Sequence, residues 1–504
     1  MKRRDLLLSA LALNAANPLR LRAQNKKLPS YPFTLGVASG EPLPSGAVIW
    51  TRLSPDPVSG GMPNENVPVK WVVANDESLR QVVRRGEAVA TPALGHSVHI
   101  EVEGLKPASW YWYRFEAAGE ASPVGRFRTT HPRGQMPDKL RFAVASCQQW
   151  TQGLWTAYKH MAEEDLELVM HLGDYIYEQG YKGKVRQTGM EEIFTLTDYR
   201  NRHALYKTDP LLQAAHARFP WLVTWDDHEV SNNYANDMQE KGQPRAEFLE
   251  RRASAYQAFY EHMPMRKSAI PQGSKMNLYR RYDYGELMRI YMLDTRQYRT
   301  DQPCGDGLKL ACPEMQAAGQ TLLGREQERW LVDGLGSSKA KWNVLGQQIL
   351  FTFQDLEPGP EERFNMDSWS GYPLARQKIV TALRESKSAN PVILTGDVHS
   401  SWVGQVHTIP QDVSSPCVAA EFIGTSISSG GDGADTFERV ERMRSENPQI
   451  RYFNGRRGYM RCELTDKLWR TDYRLLDFVT KPDSPIATRA SFTLEPGNSV
   501  PQKA

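Results

Sequence analysis

Five short apolar runs in this chain each end in a residue that can bind a metal ion. The clearest is Leu168–Leu172, which is followed by Gly173 and Asp174. The other four are followed by Cys147, by the segment Asp226–Glu229, by Asp294 and by the segment Asp397–His399. Where buried strands leave a parallel sheet, side chains from neighbouring strands converge at one edge. One such ending is ordinary, but five predict a ring of ligands around a centre with several metal ions.

The chain has 504 residues, more than one hydrophobic core usually supports, so two domains are expected. Residues 30–131 contain short runs rich in Val, Ile, Trp and Tyr between turn residues, which predicts a β-sandwich. Leu105–Tyr113 fits the tyrosine-corner pattern of such folds. From residue 139 strands alternate with helical stretches, one of them over residues 192–216, which predicts an α/β domain over residues 138–480. Residues 481–504 are expected to be a tail that wraps the surface or frays.

The N-terminus is predicted to be a targeting segment. Arg3 and Arg4 form a twin-arginine pattern before a short apolar run, so residues 1–24 are interpreted as a twin-arginine signal. The run is too short to stay in a bilayer, so no transmembrane anchor is expected after processing. The prediction is export by the twin-arginine machinery to the periplasm or the medium. A net charge of +3 gives no indication of a nucleic-acid partner.

An exported chain with five cysteines is expected to contain disulfides. Cys304 and Cys312 bracket a glycine-rich loop, and Cys417 and Cys462 lie in strand-like segments. The spacing favours these two pairs and leaves Cys147 unpaired beside the other candidate ligands.

The candidate ligands indicate which metals the centre would hold. Asp174 is suited to bridge two ions, because Gly173 lets the backbone turn sharply before it. Tyr177 can return to the same site if the chain turns there. A phenolate requires a strongly Lewis-acidic ion such as Fe(III), and a thiolate from Cys147 favours iron or zinc over magnesium. Together they predict iron at one position.

Oxygen and nitrogen ligands predict a second position. Asp227 offers a carboxylate and Asn233 a neutral carbonyl oxygen, while Asp397 and His399 offer two ligand types two residues apart. Such ligands suit calcium, manganese or magnesium.

Two residues are candidates for catalysis rather than for metal binding. His228 lies between acidic residues, which raise the pKa of an imidazole, so it can protonate a leaving oxygen or stabilise charge on a phosphoryl group. Arg296 can grip phosphate oxygens with two hydrogen bonds. Each candidate also has a structural interpretation when taken alone. These are a buried thiol at Cys147, core packing at Tyr177, a surface ion pair at His228, a turn at Asn233, and a salt bridge between Asp294 and Arg296.

Five motifs in order resemble those of the alkaline phosphatase D (PhoD-like) family of metallophosphoesterases. They are S-C-Q at residues 146–148, G-D-Y-I-Y-E at 173–178, T-W-D-D-H-E at 224–229, L-D-T-R at 293–296 and G-D-V-H at 396–399. The resemblance implies a four-layer α/β/β/α catalytic core after a fibronectin-like or Ig-like sandwich. It also implies hydrolysis of phosphate monoesters and diesters by a metal-bound hydroxide.

The resemblance further implies an iron–calcium centre, in which Mn²⁺, Zn²⁺ or Mg²⁺ can replace either ion. Its iron ligands would be Cys147, Asp174, Tyr177 and Asp397, and its calcium side would use Asp174, Asp227, Asn233 and His399. His228 would be the acid or charge stabiliser, and Arg456 and Arg457 loosely match basic lid residues. Two alternatives remain: a phospholipase D-like diesterase with the same centre, and a non-catalytic surface module with structural metals.

Overall fold

The computed structural model describes residues 28–180, 183–189, 191–386 and 389–504, so the predicted signal segment lies outside the described residues. The first part of the chain is all β. Its strands are β1 (Val37–Leu43), β2 (Gly46–Arg52), β3 (Val67–Ala74), β4 (Val82–Ala90), β5 (Ser97–Val102), β6 (Trp110–Ala117), β7 (Glu120–Ala121) and β8 (Gly125–Arg128). The hydroxyl of Tyr111 accepts a hydrogen bond of 2.8 Å from the backbone N–H of Lys106, which confirms the tyrosine corner.

The rest of the chain alternates between strands and helices before it ends in strands. Its elements are β9 (Leu140–Ala145), α1 (Thr156–Glu163), β10 (Leu168–Leu172), α2 (Leu196–Lys207), α3 (Pro210–Arg218), β11 (Pro220–Thr224), α4 (Arg245–His262), β12 (Arg280–Tyr284), β13 (Met288–Met292), β14 (Leu308–Leu310), α5 (Gly324–Gly336), β15 (Trp342–Gln347), β16 (Arg363–Asn365), α6 (Pro373–Glu385), β17 (Pro391–Thr395), β18 (Ser401–His407), β19 (Cys417–Ile423), α7 (Glu438–Glu446), β20 (Ile450–Asn454), β21 (Gly458–Leu464), β22 (Trp469–Leu476), β23 (Ile486–Leu494) and β24 (Gln502–Lys503). Among the described residues, no helix is both long enough and apolar enough to cross a membrane.

Two large sheets form the centre of the molecule. The ten-stranded sheet has the order β24-β23-β22-β21-β9-β10-β11-β1-β2-β5, and the seven-stranded sheet has the order β12-β13-β15-β17-β19-β18-β20. Strands β9, β10 and β11 are parallel neighbours in the first sheet, and β13, β15 and β17 are parallel neighbours in the second. Five of these six strands, all except β15, are the apolar runs from which the metal centre was predicted.

The two sheets stack face to face between two layers of helices. Met170 of β10 and Leu394 of β17 belong to the apolar cluster between the sheets. Phe259 of α4 packs with the outer face of the ten-stranded sheet, and Ile379 of α6 packs with the outer face of the seven-stranded sheet. The four-layer α/β/β/α arrangement is therefore confirmed.

The N-terminal sandwich is present, but it is not a separate unit. One of its layers is a smaller sheet of β3, β4, β6, β7 and β8. The other layer consists of β1, β2 and β5, which continue the ten-stranded sheet, because β1 pairs in parallel with β11 through Ser39 and Pro220. Ile49, Val73 and Phe115 fill the space between the layers. A boundary at residue 131 separates two stretches of the chain, but both stretches contribute strands to the ten-stranded sheet.

Two predictions about segments were wrong. Residues 481–504 do not form a fraying tail, because β23 pairs with β22 along its length and buries Phe492 and Leu494 in the cluster between the sheets. The helix expected over residues 192–216 is two helices. The second starts with Pro210 after Asp209, whose side chain accepts hydrogen bonds from the N–H groups of the next turn.

One of the two expected disulfides is formed. Cys304 and Cys312 are bonded, whereas Cys417 and Cys462 are free thiols, so their predicted pairing was wrong. The reason is topological: Cys417 lies on β19 of the seven-stranded sheet and Cys462 on β21 of the ten-stranded sheet. Cys462 faces the apolar cluster between the sheets, where no second thiol lies among the described residues.

Candidate metal centre

Four of the five apolar runs deliver side chains to one place. Three groups of possible ligand atoms each lie within 4.8 Å of one another. They are Cys147 with Asp174 and His399; Asp174 with Asp227 and His228; and Asp226 with Asp227 and Asp397. Because Asp174 and Asp227 each belong to two groups, the groups join into one cluster at the ends of the parallel strands.

The fifth run does not deliver a ligand. Asp294 is buried, and its Oδ1 accepts hydrogen bonds from the backbone N–H groups of Arg296 and Gln297 at 3.0 and 2.9 Å. Asp294 therefore stabilises the turn after β13, and within the described residues it is absent from the ligand groups.

Tyr177 reaches the cluster as predicted. Its hydroxyl donates to Asp174 Oδ2 at 2.8 Å and lies 3.2 Å from His399 Nε2 and 2.7 Å from Ser429 Oγ. The hydroxyl of Ser429 in turn donates to the backbone carbonyl of Cys147. Tyr177 is thus fixed beside Asp174, where a phenolate oxygen can share a metal ion with it.

The grouping of His399 and Asp397 differs from the resemblance. His399, expected on the calcium side, is grouped with Cys147 and Asp174. Asp397, expected beside Cys147, is grouped with Asp226 and Asp227. Both residues follow β17 within four positions, so they reach opposite parts of one cluster.

The backbone of the cluster adopts conformations that non-glycine residues rarely populate. Five site residues have positive φ angles, namely Cys147 (58°), Asp174 (55°), Asn233 (49°), Asp397 (58°) and His399 (55°). Such positions each cost roughly 1–3 kcal/mol and concentrate at functional sites. At Gly173 the φ is 110°, and a Cβ there would meet the Cβ of Asp226 at 2.5 Å. Glycine is therefore required for the close approach of β10 and β11.

Three carboxylates of the cluster are short of positive partners, whereas the pKa of Asp174, raised by burial, is lowered by more through His228 and His399. Burial and then the neighbouring acidic groups raise the pKa of Asp226, Asp227 and Asp397, in the last case to about 8, although Arg296 opposes the rise. Three buried carboxylate oxygens of the cluster have no hydrogen-bond partner, namely Asp174 Oδ1, Asp226 Oδ2 and Asp227 Oδ1. Buried carboxylates of this kind are stabilised by cations, so the residues fit a metal centre.

The thiol of Cys147 fits the same conclusion. Burial, with help from Asp174 and Asp397, raises its pKa well above the usual value. Burial and Asp174 likewise raise the pKa of Tyr177. Both groups therefore hold their protons more tightly than usual, and a metal ion that binds a thiolate or phenolate displaces the proton. A buried sulfur beside a buried phenol and carboxylate is a donor set that suits iron.

His228 is held by a carboxylate that the sequence analysis did not assign. Its Nδ1 lies 2.7 Å from Glu178 Oε2, and Glu178 Oε1 accepts from the backbone N–H of Asn232. Burial lowers the pKa of His228, but Asp227, Glu178 and Asp174 raise it by more. The Glu178 contact orients the ring and leaves Nε2 free for another group.

The predicted role of Arg296 was wrong. Its side chain is fully buried, with 0 % of its surface exposed. It donates two parallel hydrogen bonds of 2.8 Å to Asp367 and a third to Asp226 Oδ1. Its side chain does not pair with the Asp294 side chain, and its burial among carboxylates leaves it no exposed surface with which to grip a phosphate. Arg296 instead neutralises and fixes carboxylates at the edge of the cluster.

This burial leads to a stability prediction. Arg296→Met leaves Asp226 and Asp367 without their buried partner, so we expect the free energy of unfolding to fall by about 3–5 kcal/mol. Arg133→Met is the matched control, since Arg133 pairs with Asp283 but is 72 % exposed, and such pairs contribute about 1 kcal/mol or less. Denaturant unfolding measures both. Equal losses in the two variants would contradict the buried role.

Several supporting residues could not be assigned from sequence. Glu229 is in a motif, and its carboxylate accepts from the backbone N–H groups of Tyr175 and Asp226, but its orientation has no sequence signal. Arg457 donates to the carbonyl of His399 and to Ser426, so it supports the loop after β17. Arg456 pairs with Asp435.

Comparison with known proteins agrees with this geometry. The model of the PhoD-like phosphatase family matches residues 142–473, and the model of the PhoD-like phosphatase N-terminal domain matches residues 19–131. The chain belongs to the PhoD-like phosphatase family. As a member of that family it is a phosphoric ester hydrolase.

Individual relatives extend this comparison. The chain is 52% identical over 473 residues to alkaline phosphatase D of Bacillus subtilis (strain 168), covering 92% of this chain and 81% of the relative. A structure described as PhoD is similar with a TM-score of 0.93 and 51% identity, over 95% of this chain and 93% of the other. A purple acid phosphatase from yellow lupin seeds shares the fold, with a TM-score of 0.58 at 12% identity over 93% and 75% of the chains.

Proposed function

We propose that the protein is an exported alkaline phosphatase and phosphodiesterase that uses an iron–calcium type centre. The observation that carries the proposal is the overlap of the three ligand groups at Asp174 and Asp227. A carboxylate shared between groups supports two neighbouring metal positions rather than one.

The residues divide between the two positions by their chemistry. Cys147 and Tyr177 would hold iron together with Asp174, because sulfur and phenol donors suit it. Asp227 and Asn233 would hold the calcium side, which prefers oxygen ligands. Asp397 and His399 complete the two positions. When bound, the ions supply Lewis acidity that makes a water nucleophilic and offsets the charge of the phosphate.

His228 is proposed to act on the leaving group. Glu178 fixes its Nδ1, so Nε2 is the atom that can donate a proton or a hydrogen bond to an ester oxygen. Its neighbours keep the imidazole protonated at higher pH than usual, as a proton donor requires. Arg296 holds Asp226 and so keeps one wall of the site in place.

The experiment that tests the proposal compares substrates. The full chain, purified with its own metals, should hydrolyse both an aryl phosphate monoester and an aryl phosphate diester. Chelation should abolish both activities together, and adding back iron and calcium should restore them. An enzyme that retains full turnover after complete removal of its metals would contradict the metal-dependent mechanism.

A second candidate is a phospholipase D-like diesterase. A cavity of about 690 Å³ lies beside Asn233, and its lining includes Asp237, Glu240, Asp301 and Asp306. An acidic lining next to the centre favours an ester whose leaving alcohol carries a positive charge. Phosphatidylcholine vesicles should then be turned over faster than the aryl diester. If they are not cleaved, this candidate is excluded.

Export is part of the proposal. The disulfide between Cys304 and Cys312 supports an oxidising compartment, and the Arg3–Arg4 pair supports the twin-arginine route. Replacing both arginines by lysine should leave the protein in the cytoplasm, as cell fractionation would reveal. Normal export of that variant would exclude this route.

A further inference from the structure

Asn233 is held from two sides by one segment of the chain. Its backbone carbonyl accepts a hydrogen bond of 2.8 Å from Gln302 Nε2. Its side-chain Nδ2 donates to Asp306 Oδ2, also at 2.8 Å. Gln302 and Asp306 flank Cys304 at equal distances along the chain. This segment around Cys304 therefore supports a residue of the candidate centre.

The contact with Asp306 determines the orientation of the Asn233 amide. A carboxylate accepts hydrogen bonds and does not donate them, so the NH₂ end of the amide must face Asp306. The carbonyl oxygen Oδ1 then faces away from Asp306. The backbone N–H of Asn233 donates to Asp227 Oδ2 at 2.8 Å, so the residue lies against the ligand cluster. The contact with Asp306 therefore leaves the carbonyl oxygen of the amide, and not its NH₂ group, available to a nearby cation.

The loop that carries Asp306 is held in an unfavourable conformation. Four successive residues have positive φ angles: Cys304 (59°), Gly305 (75°), Asp306 (61°) and Gly307 (72°). For cysteine and aspartate this region is disfavoured. The loop is closed by the disulfide to Cys312, and Gly307 is tied to the backbone of Met366. Without the disulfide, the loop has fewer constraints that keep Asp306 beside Asn233.

We propose that Asp306 is a positioning residue for Asn233, and that the Cys304–Cys312 disulfide keeps Asp306 in place. The inference rests on the proposed calcium side of the centre. The bond thereby couples the redox state of a loop to the affinity of the centre for its second ion. Reduction by a dithiol gives two thiols, at Cys304 and Cys312, while the dithiol is oxidised to its own disulfide.

The first experiment measures calcium affinity by calorimetry. The full chain is purified with its metals, calcium is removed with a calcium chelator, and Ca²⁺ alone is titrated back. Asp306→Ala should weaken the affinity about 10–100-fold, as loss of an outer-shell partner does. Asp306→Asn should retain most of it, because its carboxamide oxygen can still accept the hydrogen bond.

Asp301→Ala is the matched control. Asp301 lines the same cavity, but its described hydrogen bond is to the backbone N–H of Gln302. Its removal deletes the same charge without touching the Asn233 amide, so the calcium affinity should change less than about 3-fold, well below the effect expected for an outer-shell partner. If Asp306→Ala binds calcium as the wild type does, or if Asp301→Ala loses as much, the inference is overturned.

The second experiment tests the disulfide. The double variant Cys304→Ser with Cys312→Ser should weaken calcium binding in the wild-type background. It should have no further effect in Asp306→Ala, because the loss of the disulfide and the loss of the carboxylate both act through the same contact between Asp306 and Asn233. Additive losses would contradict the coupling. A wild type that hydrolyses esters but binds no Ca²⁺ would contradict the proposed calcium side together with this inference. Normal calcium binding in Asp306→Ala contradicts the inference alone.

Discussion

Replacing Cys147 by alanine is expected to remove iron and nearly all activity while the fold remains. The thiol is buried, and its sulfur lies within 4.8 Å of possible ligand atoms of Asp174 and His399. Burial raises its pKa, so a bound cation is needed to stabilise the thiolate. Loss of a direct ligand should exceed the roughly 10–100-fold cost of losing an outer-shell partner. Metal analysis, circular dichroism and turnover of an aryl phosphate measure the three expectations.

Cys462→Ala is the matched control for this variant. Cys462 is also a buried free thiol, but it faces the apolar cluster between the two sheets. It should lose some stability through its cavity and keep both metal and activity. If Cys147→Ala retains iron and turnover, or if Cys462→Ala loses them equally, the thiolate assignment is wrong.

Replacing His228 by glutamine is expected to slow hydrolysis according to the leaving group. Loss of a general acid costs about 10²–10⁴-fold, and the full cost should appear with an alkyl ester, whose leaving alkoxide needs a proton. An aryl ester with an acidic phenol should lose far less. Equal losses on both esters would indicate that His228 stabilises charge instead of donating a proton. An unchanged kcat on both esters would contradict any catalytic role of His228.

Glu178→Gln provides the control and a prediction of pH dependence. The Glu178 carboxylate raises the pKa of His228, so its removal lowers that pKa. An acid is active only while protonated, and activity falls as pH rises through its pKa. The alkaline limb of the kcat profile should therefore move to lower pH in Glu178→Gln. An unmoved limb would show that the Glu178 contact does not set this ionisation.

The sequence predicted those parts of the site that are adjacent along the chain. Asp174 lies two residues after buried strand β10 and Asp227 three residues after buried strand β11, and ligands bind at the edge of a sheet where its parallel strands end. The alternation of strands with helices predicted an α/β core, and the resemblance to the PhoD-like family implied its four layers. Tyr177 was predicted to reach the same site because it lies only three residues after Asp174, and the structure places its hydroxyl against that carboxylate.

Contacts between distant segments could not be predicted in this way. Arg296 was expected to face a phosphate, because nothing in L-D-T-R reveals the bidentate partner Asp367, 71 residues away. The pairing of Ser39 with Pro220 joins the sandwich to the core, and no local pattern encodes it. Phe492 was assigned to a tail because Pro and Ser dominate its surroundings, whereas β22 offered it an open edge.

The most direct test of a mixed-metal centre is elemental analysis of natively exported protein, combined with its visible spectrum. We expect iron and calcium bound to each chain and a visible absorption band from thiolate and phenolate charge transfer to Fe(III), with the iron and the band absent from Cys147→Ala. Colourless protein that contains no iron and is fully active on phosphate esters would contradict it.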